Sequence, residues 1–180
     1  MRHWKFKIIG DVDNHRELIM DLVNLMLNDD PPTKDDMITL LYETGGGCYL
    51  TGMDIISILK YVQKLTNVRI INTGHVASMG CAIFLSITDR YTLPNSSFML
   101  HHAKYLDLKE VSAKEAKVME KDLVKSNRAL TKITVKKLKL TKEQLSVYNK
   151  GDDLTLDSEA AIKAGMAKPF SELILSLIHI

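Results

Sequence analysis

The segment VRIINTGHVASMGCAIFL, residues 68–85, contains the pattern that decides the fold. It opens with a short β-branched, apolar run, Val68–Asn72, which has the length and composition of a buried strand. Thr73-Gly74-His75 then predicts a turn, and the small and apolar residues 77–85 predict a buried helix. A strand that leads directly into a helix is the building unit of sheets whose strands run parallel.

The same unit occurs once more on the N-terminal side. Residues 37–42 form a nearly continuous apolar run, which suits a strand buried on both faces. Gly45-Gly46-Gly47 follows, and apolar residues at helical spacing then extend over residues 53–65. Residues 91–101 predict further strand. The predicted fold class is therefore α/β with a mostly parallel sheet.

Capping patterns place several helix starts. Asp13-Asn14 is expected to cap a helix over residues 15–27, with Glu17 as its capping-box partner. Thr141–Gln144 predicts a capping box for a short helix, and Asp157-Ser158 starts another.

A long charged helix is predicted over residues 112–138. Residues 104–142 contain 12 Lys and Arg against five Asp and Glu, a local net charge of +7, so the rest of the chain is near −5. A narrow apolar stripe is typical of a helix that leaves its domain and packs on one partner. The stripe consists of Ala116, Met119, Leu123, Leu130 and Ile133.

Composition excludes several classes of protein. The chain has 180 residues and a net charge of only +2, which argues against a nucleic-acid-binding protein covered with basic residues. It has no apolar run of membrane-spanning length, and its charged N-terminus is unlike a secretory signal. The two cysteines, Cys48 and Cys81, form neither a disulfide framework nor a zinc site. We therefore expect a cytoplasmic protein with no membrane, nucleic-acid, metal or cofactor requirement.

Three features could carry chemistry. The first is the glycine turn at residues 45–47, which either brings backbone N–H groups to a ligand or merely supplies positive φ. The second is Ser78 at a strand-to-helix transition, either a nucleophile or an ordinary helix cap. The third is His101-His102 after a strand, either a general base or an ordinary histidine, in a surface loop or buried with its hydrogen bonds satisfied.

Rival residues lie nearby in the sequence. His75, three residues before Ser78, is an alternative base. Asp152-Asp153 offers a carboxylate to orient an imidazole, or a solvated turn. Cys48 has no neighbouring charge to stabilise a thiolate, so we expect a small, buried cysteine.

Taken together, these segments resemble the ClpP-type serine peptidases. Gly74–Gly80 resembles the nucleophile motif of that family, and Leu93–His101 resembles its Leu-Pro-Asn-Ser-x-x-Met-Ile-His segment. Gly46-Gly47 with Thr51-Gly52-Met53 resembles its glycine turn and the following helix start, and Asp153–Met166 resembles its closing acidic segment. The resemblance extends from about Ile8 to Lys168.

The resemblance implies a role for each matching residue. It makes Ser78 the nucleophile, His101 the general base and Asp153 the residue that orients the base. It makes the backbone N–H groups of Gly47 and Met79 the oxyanion hole. It implies neither a metal nor a cofactor.

The resemblance also implies an architecture and partners. It predicts one domain over residues 1–180 with a ClpP/crotonase-like fold of repeated β-β-α units. This domain would comprise a head (about 8–103 and 150–168), a projecting handle helix region (about 104–149) and an apolar C-terminal tail (about 169–180). Members form homo-oligomers of two stacked rings of seven, cleave polypeptides inside the chamber, and are served by a separate AAA+ unfoldase.

Two departures qualify those expectations. The segment before Ile8 is shorter than the family's pore-lining N-terminus, so gating and unfoldase docking are left open. Residues 103–110, after the histidine, contain no glycine, unlike the family's glycine-rich strand.

Several alternative functions stay open at this stage. They are a stand-alone or phage-type peptidase, a signal-peptide peptidase with a Ser–Lys dyad, a catalytically silent ring subunit and a crotonase-like acyl-CoA enzyme. A Ser–Lys dyad is disfavoured because His101 and Asp153 are both present.

Overall fold

Alternating and continuous apolar runs build one mixed sheet with helices packed against it. In the computed structural model, residues 1–105 and 110–178 are described. The strands are β1 (His3–Ile9), β2 (Met37–Thr44), β3 (Asn67–Ala77), β4 (Asp89–Thr92), β5 (Ser97–Leu100), β6 (Leu154–Asp157) and β7 (Lys168–Pro169). The helices are α1 (Arg16–Leu27), α2 (Tyr49–Leu65), α3 (Met79–Phe84), α4 (Ala113–Ile133), α5 (Lys142–Asn149), α6 (Ser158–Lys163) and α7 (Phe170–Ile178).

Within the described residues the sheet has seven strands, and its main path runs β1-β2-β3-β4-β7 with every neighbouring pair parallel. Strand β5 runs parallel to β3, and β6 pairs antiparallel with β5. The prediction of an α/β fold with a mostly parallel sheet is thus confirmed. Strand β1, at the sheet edge, is an element that the sequence reasoning did not identify.

The predicted turn at Thr73-Gly74-His75 is wrong. Strand β3 continues through these residues to Ala77, although its pairing with β2 shifts between Asn72 and Val76. The reason is that β3 has two successive partners. Its residues Arg69–Asn72 pair with β4, and His75–Ala77 pair with β5.

The start of α1 also differs from the prediction. A 3₁₀ turn over Val12–His15 precedes the helix, and neither Asp13 nor Asn14 acts as its cap. The capping box of Thr141 and Gln144 at α5 is present, as predicted. Asp157 likewise caps α6, its side chain accepting a hydrogen bond from the Ala160 N–H.

Helix α4 is the long helix predicted at 112–138, but it ends earlier. Thr134 leaves helical geometry (φ −116°, ψ −92°), and a short 3₁₀ turn follows at Val135–Lys137. Leu130, near the C-terminal end of α4, is its one buried residue, whereas its N-terminal half is largely exposed. The helix therefore projects from the body at its N-terminal end.

The two faces of the sheet are covered by different elements. The main core includes Ile70 and residues of α1, α2 and α3. A second, smaller cluster joins Ile71 and Tyr91 to Leu173 of α7, and Ile70 and Ile71 point to opposite faces because side chains alternate along a strand. The C-terminal tail thus packs on its own domain through Leu173, which is buried. No helix in the described part of the chain has the length and hydropathy of a membrane span.

Candidate active site

The ends of three strands bring three polar side chains to one place. Ser78 directly follows β3, His101 directly follows β5, and Asp153 directly precedes β6. Because β5 is parallel to β3 and antiparallel to β6, the end of β5 lies beside the end of β3 and the start of β6. The pairing of Leu100 with Leu154 places His101 and Asp153 side by side.

Ser78 lies in an unusual backbone conformation between β3 and α3. Its φ is +55° and its ψ −124°, values that few residues other than glycine adopt. Its N–H donates a 2.7 Å hydrogen bond to the Met99 carbonyl of β5, and its carbonyl accepts from the Cys81 N–H at 3.0 Å. Such strained turns persist only where the surrounding structure fixes them, so the hydroxyl of Ser78 is held in a defined direction.

The Ser78 hydroxyl contacts the imidazole of His101. Ser78 Oγ lies 2.6 Å from His101 Nε2, within hydrogen-bond distance. The other ring nitrogen, Nδ1, lies 3.8 Å from Asp153 Oδ1, which is too long for a hydrogen bond. Among the residues that the structure describes, buried Nδ1 has no hydrogen-bond partner.

The environment of His101 keeps its imidazole neutral. Burial lowers the pKa of His101 below its ordinary value of 6.5. The Asp153 carboxylate opposes this shift, whereas the nearby Lys104 and His102 lower the pKa further. A neutral imidazole at neutral pH is the form that accepts a proton, as a general base requires.

The glycine turn after β2 lies against Ser78. Gly46 has φ +104°, and a Cβ added there would lie 2.6 Å from Ser78 Cβ and 3.1 Å from the Ala77 carbonyl oxygen. Only glycine fits this close approach and this conformation. The turn therefore has a physical requirement for glycine that is directly linked to the position of the serine.

The segment before α1 holds the glycine turn in place. The Val12 N–H donates to the Gly46 carbonyl at 2.8 Å. The Asp13 carboxylate accepts from the Cys48 N–H at 3.2 Å and from the Thr51 hydroxyl at 3.3 Å. The prediction that Asp13 caps a helix is wrong. No local pattern marks its contact with residues 35 and 38 positions later in the chain.

Met79 and Gly47 each lie one residue beyond a residue of the contact between Ser78 and the glycine turn. Met79 is the first residue of α3, where the helix leaves its N–H groups without intrahelical acceptors. Gly47 follows the glycine that touches Ser78. Within residues 1–105 and 110–178, neither N–H donates a hydrogen bond to another part of the backbone or to a side chain.

The rival candidates are engaged elsewhere or are differently placed. His102 packs edge-on against the ring of Tyr148, with centroids 4.5 Å apart. His75 Nδ1 lies 2.8 Å from Ser97 Oγ. The expectation of a buried Cys48 is wrong, since this cysteine is exposed at the start of α2, where nearby backbone N–H groups lower the pKa of its thiol.

Chemically, this arrangement can activate a serine. A neutral imidazole at 2.6 Å can remove the hydroxyl proton, and a carboxylate behind it can stabilise the imidazolium that forms. Across the described residues, no three His, Cys, Asp or Glu side chains are grouped so as to hold a metal ion.

The fold and the site together define the class of protein. A mostly parallel α/β sheet presents a serine in a strained turn, in contact with a histidine at a neighbouring strand end. The class is therefore that of α/β proteins with a mostly parallel sheet, and its strand ends hold a serine and a histidine in hydrogen-bond contact.

Comparison with known proteins is more specific. The profile of the Clp protease family matches residues 6–171, and the chain belongs to this family. Among solved structures, a point mutant of ClpP1 from Listeria monocytogenes superposes with a TM-score of 0.72 at 21% sequence identity. The match covers 92% of this chain and 89% of that one, and it confirms the ClpP-type fold.

Proposed function

We propose that this protein is a serine endopeptidase that cleaves unfolded polypeptides or peptides through an acyl-enzyme. Ser78 is the nucleophile, His101 the general base and Asp153 the residue that orients and stabilises the charged base. The contact of 2.6 Å between Ser78 Oγ and His101 Nε2 carries this proposal. Membership in the Clp protease family supports it.

The first half of the reaction forms an ester. As Ser78 Oγ attacks the peptide carbonyl carbon, His101 Nε2 takes the hydroxyl proton. The carbonyl π electrons move onto oxygen, giving a tetrahedral oxyanion. His101 then returns the proton to the leaving nitrogen, the C–N bond breaks, and the acyl group stays on Ser78. In the second half, water repeats the sequence with His101 as base and releases the acid.

The N–H groups of Gly47 and Met79 are proposed as the oxyanion hole. Met79 directly follows Ser78 and Gly47 directly follows the glycine that lies against Ser78, and within the described residues neither N–H donates to a partner outside its own helix or strand. Donors aimed at the developing negative charge act in the transition state, and one such donor contributes about 10²–10³ in rate. Asp13 and Val12 support this role by holding the turn that contains Gly47.

We further propose that the protein works as a homo-oligomer of stacked seven-membered rings that encloses the sites. Helix α4 supports this, because its projecting part has an apolar groove instead of a uniformly charged surface. The groove is lined by Tyr105, Val111, Ala116, Met119, Leu123 and Val124, among others. Val111 and Val124 are 36% and 47% exposed in the single chain. Apolar surface of this kind is characteristic of a site that packs on a partner. A second copy of α4 is the occupant that the family membership favours.

An AAA+ unfoldase is the proposed source of extended substrate, with a stand-alone or phage-type peptidase as the alternative. A catalytically silent ring subunit is a second candidate. The 3.8 Å separation of His101 Nδ1 and Asp153 Oδ1 is the observation that favours it, because at this distance the carboxylate does not bond the base.

A fluorophosphonate probe tests the central proposal. We expect it to label the wild-type chain at one serine and to leave the Ser78→Ala variant unlabelled. Ser57→Ala is the matched control, because Ser57 is an exposed serine on α2 whose hydroxyl donates only to the Met53 carbonyl. It should label normally. Labelling that persists in Ser78→Ala contradicts the assignment of the nucleophile.

Two further measurements separate the alternatives. Loss of labelling in His101→Ala, with labelling retained in His102→Ala, identifies the base. A correctly folded wild-type assembly that never reacts supports the silent subunit instead. Native mass measurement tests the ring, and a stable monomer contradicts it.

A further inference from the structure

One carboxylate oxygen lies near two nitrogen donors, an ammonium and an imidazole. Asp153 Oδ1 lies 3.4 Å from Lys104 Nζ and 3.8 Å from His101 Nδ1. The lysine is therefore the closer of the two. Lys104 comes three residues after His101 in the sequence, where no motif drew attention to it.

The two competing contacts are of different quality. The side chains of Lys104 and Asp153 are 55% and 52% exposed, so this pair is a surface ion pair that stabilises little and is easily exchanged. His101 Nδ1, in contrast, is buried and lacks a partner among the described residues. A buried donor gains more from a carboxylate than an exposed ammonium does. A small rotation of Asp153 would satisfy it.

We propose that Lys104 is a positioning residue that draws Asp153 away from His101, so that the charge at residue 104 sets the rate at which Ser78 is acylated. This inference rests on the proposed function. Acylation requires an imidazolium on His101, and a carboxylate already paired with an ammonium stabilises it less. When the ammonium is removed, Asp153 bonds Nδ1 and stabilises the imidazolium.

Within residues 1–105 and 110–178, the charged and titratable groups that act on His101 are Asp153, Lys104 and His102. Asp153 raises the pKa of His101, and the other two lower it. Loss of the ammonium removes one lowering influence and brings the raising one closer. The pKa of His101 should therefore rise in a variant that lacks the charge at residue 104.

The rate of fluorophosphonate labelling at Ser78 measures the effect. An exposed ion pair accounts for up to about a fivefold change in rate, so Lys104→Met should label about two- to fivefold faster than wild type. Lys104→Arg keeps the charge and should label at the wild-type rate. Lys142→Met, at the exposed start of α5, is the control for loss of a lysine elsewhere. A Lys104→Met rate equal to or below that of Lys142→Met overturns the proposal.

A double-mutant cycle with Asp153→Asn shows whether Lys104 acts through the carboxylate. In the Asp153→Asn background, Lys104→Met should give no gain, because the group that it releases is absent. A gain of the same size in both backgrounds means that the ammonium acts directly on His101. That result overturns a positioning role.

A final readout does not depend on activity. In the Ser78→Ala chain, the His101 ring is titrated by NMR with and without Lys104→Met, and the pKa should rise in the double variant. If wild-type protein does not react with the probe, the proposed function fails, yet this titration still decides the role of Lys104. An unchanged or lowered pKa overturns it.

Discussion

Removal of the Asp13 side chain should strongly lower the rate at which Ser78 reacts and only slightly lower the free energy of unfolding. The Asp13 carboxylate accepts hydrogen bonds from the Cys48 N–H at 3.2 Å and the Thr51 hydroxyl at 3.3 Å, and not from Ser78 or His101. It acts on the glycine turn that is proposed to present the Gly47 N–H. Its replacement by alanine should therefore leave Ser78 and His101 in place and loosen one half of the proposed oxyanion hole.

The magnitude follows from these two contacts. Both are long for hydrogen bonds and the carboxylate is exposed, so each is worth about 0.5–1 kcal/mol. Asp13→Ala should lower the free energy of unfolding by about 1–2 kcal/mol, a fall in Tm of a few degrees. Complete loss of one oxyanion donor costs about 10²–10³ in rate, and a donor that is merely less well fixed should cost about tenfold.

The assay pairs the fluorophosphonate labelling rate at Ser78 with thermal unfolding of the same sample. Asp13→Asn keeps one acceptor oxygen and should fall between wild type and Asp13→Ala. Asp21→Ala, an exposed aspartate on α1, controls for loss of a surface charge. If Asp13→Ala labels as fast as Asp21→Ala, the turn is fixed without this carboxylate and the reasoning is refuted.

Three further variants test other parts of the structure. Gly46→Ala should slow labelling about 100-fold with the fold retained, because the alanine Cβ would lie 2.6 Å from Ser78 Cβ and displace the proposed nucleophile. Labelling near the wild-type rate would contradict this close approach. Burial lowers the pKa of His15 below 6.5, so the unfolded chain binds the proton more tightly and the free energy of unfolding should fall as pH drops below about 6.5. In urea unfolding at pH 7.5 and 5.5, His15→Phe should lose this part of the pH dependence, and an unchanged dependence would refute the prediction. Met119→Glu in the α4 groove should dissociate the proposed assembly in native mass measurements, whereas Met119→Leu should leave it intact. An intact Met119→Glu oligomer would place the interface elsewhere.

Local patterns predicted most helices and the central strands, because there the signal is strong and short-range. Apolar runs correctly predicted β2 and the N-terminal part of β3. Helical spacing correctly predicted α2, where the four residues that carry the pattern are all buried: Ile55, Ile56, Leu59 and Val62. Side-chain caps at Thr141 and Asp157 also follow from a few neighbouring residues. The end of α4 does not, since Thr134 departs from the helix without proline or glycine to mark it.

Features set by distant pairing were predicted less well. Gly74 and its neighbours suggest a turn, yet two different partner strands keep them extended in β3. Local patterns made Ser78, His101 and Asp153 candidates, each beside an ordinary structural alternative, and only the family motifs gave each of them a role. Asp13 was missed because it contacts the start of α2, 35 positions later in the chain. Lys104 was missed because its ion pair is with Asp153, which is also distant in the sequence.

The position of Asp153 at the start of β6 has a consequence for biosynthesis. The polypeptide between His101 and Asp153 contains the whole of α4 and α5. The ribosome therefore adds some fifty residues after His101 before it reaches Asp153. A ribosome-bound chain that already contains Ser78 and His101 therefore lacks the third member of the set. Asp153 reaches the proposed site only when β6 docks on β5, late in synthesis, so the set is completed by one of the last pairings that the chain can make.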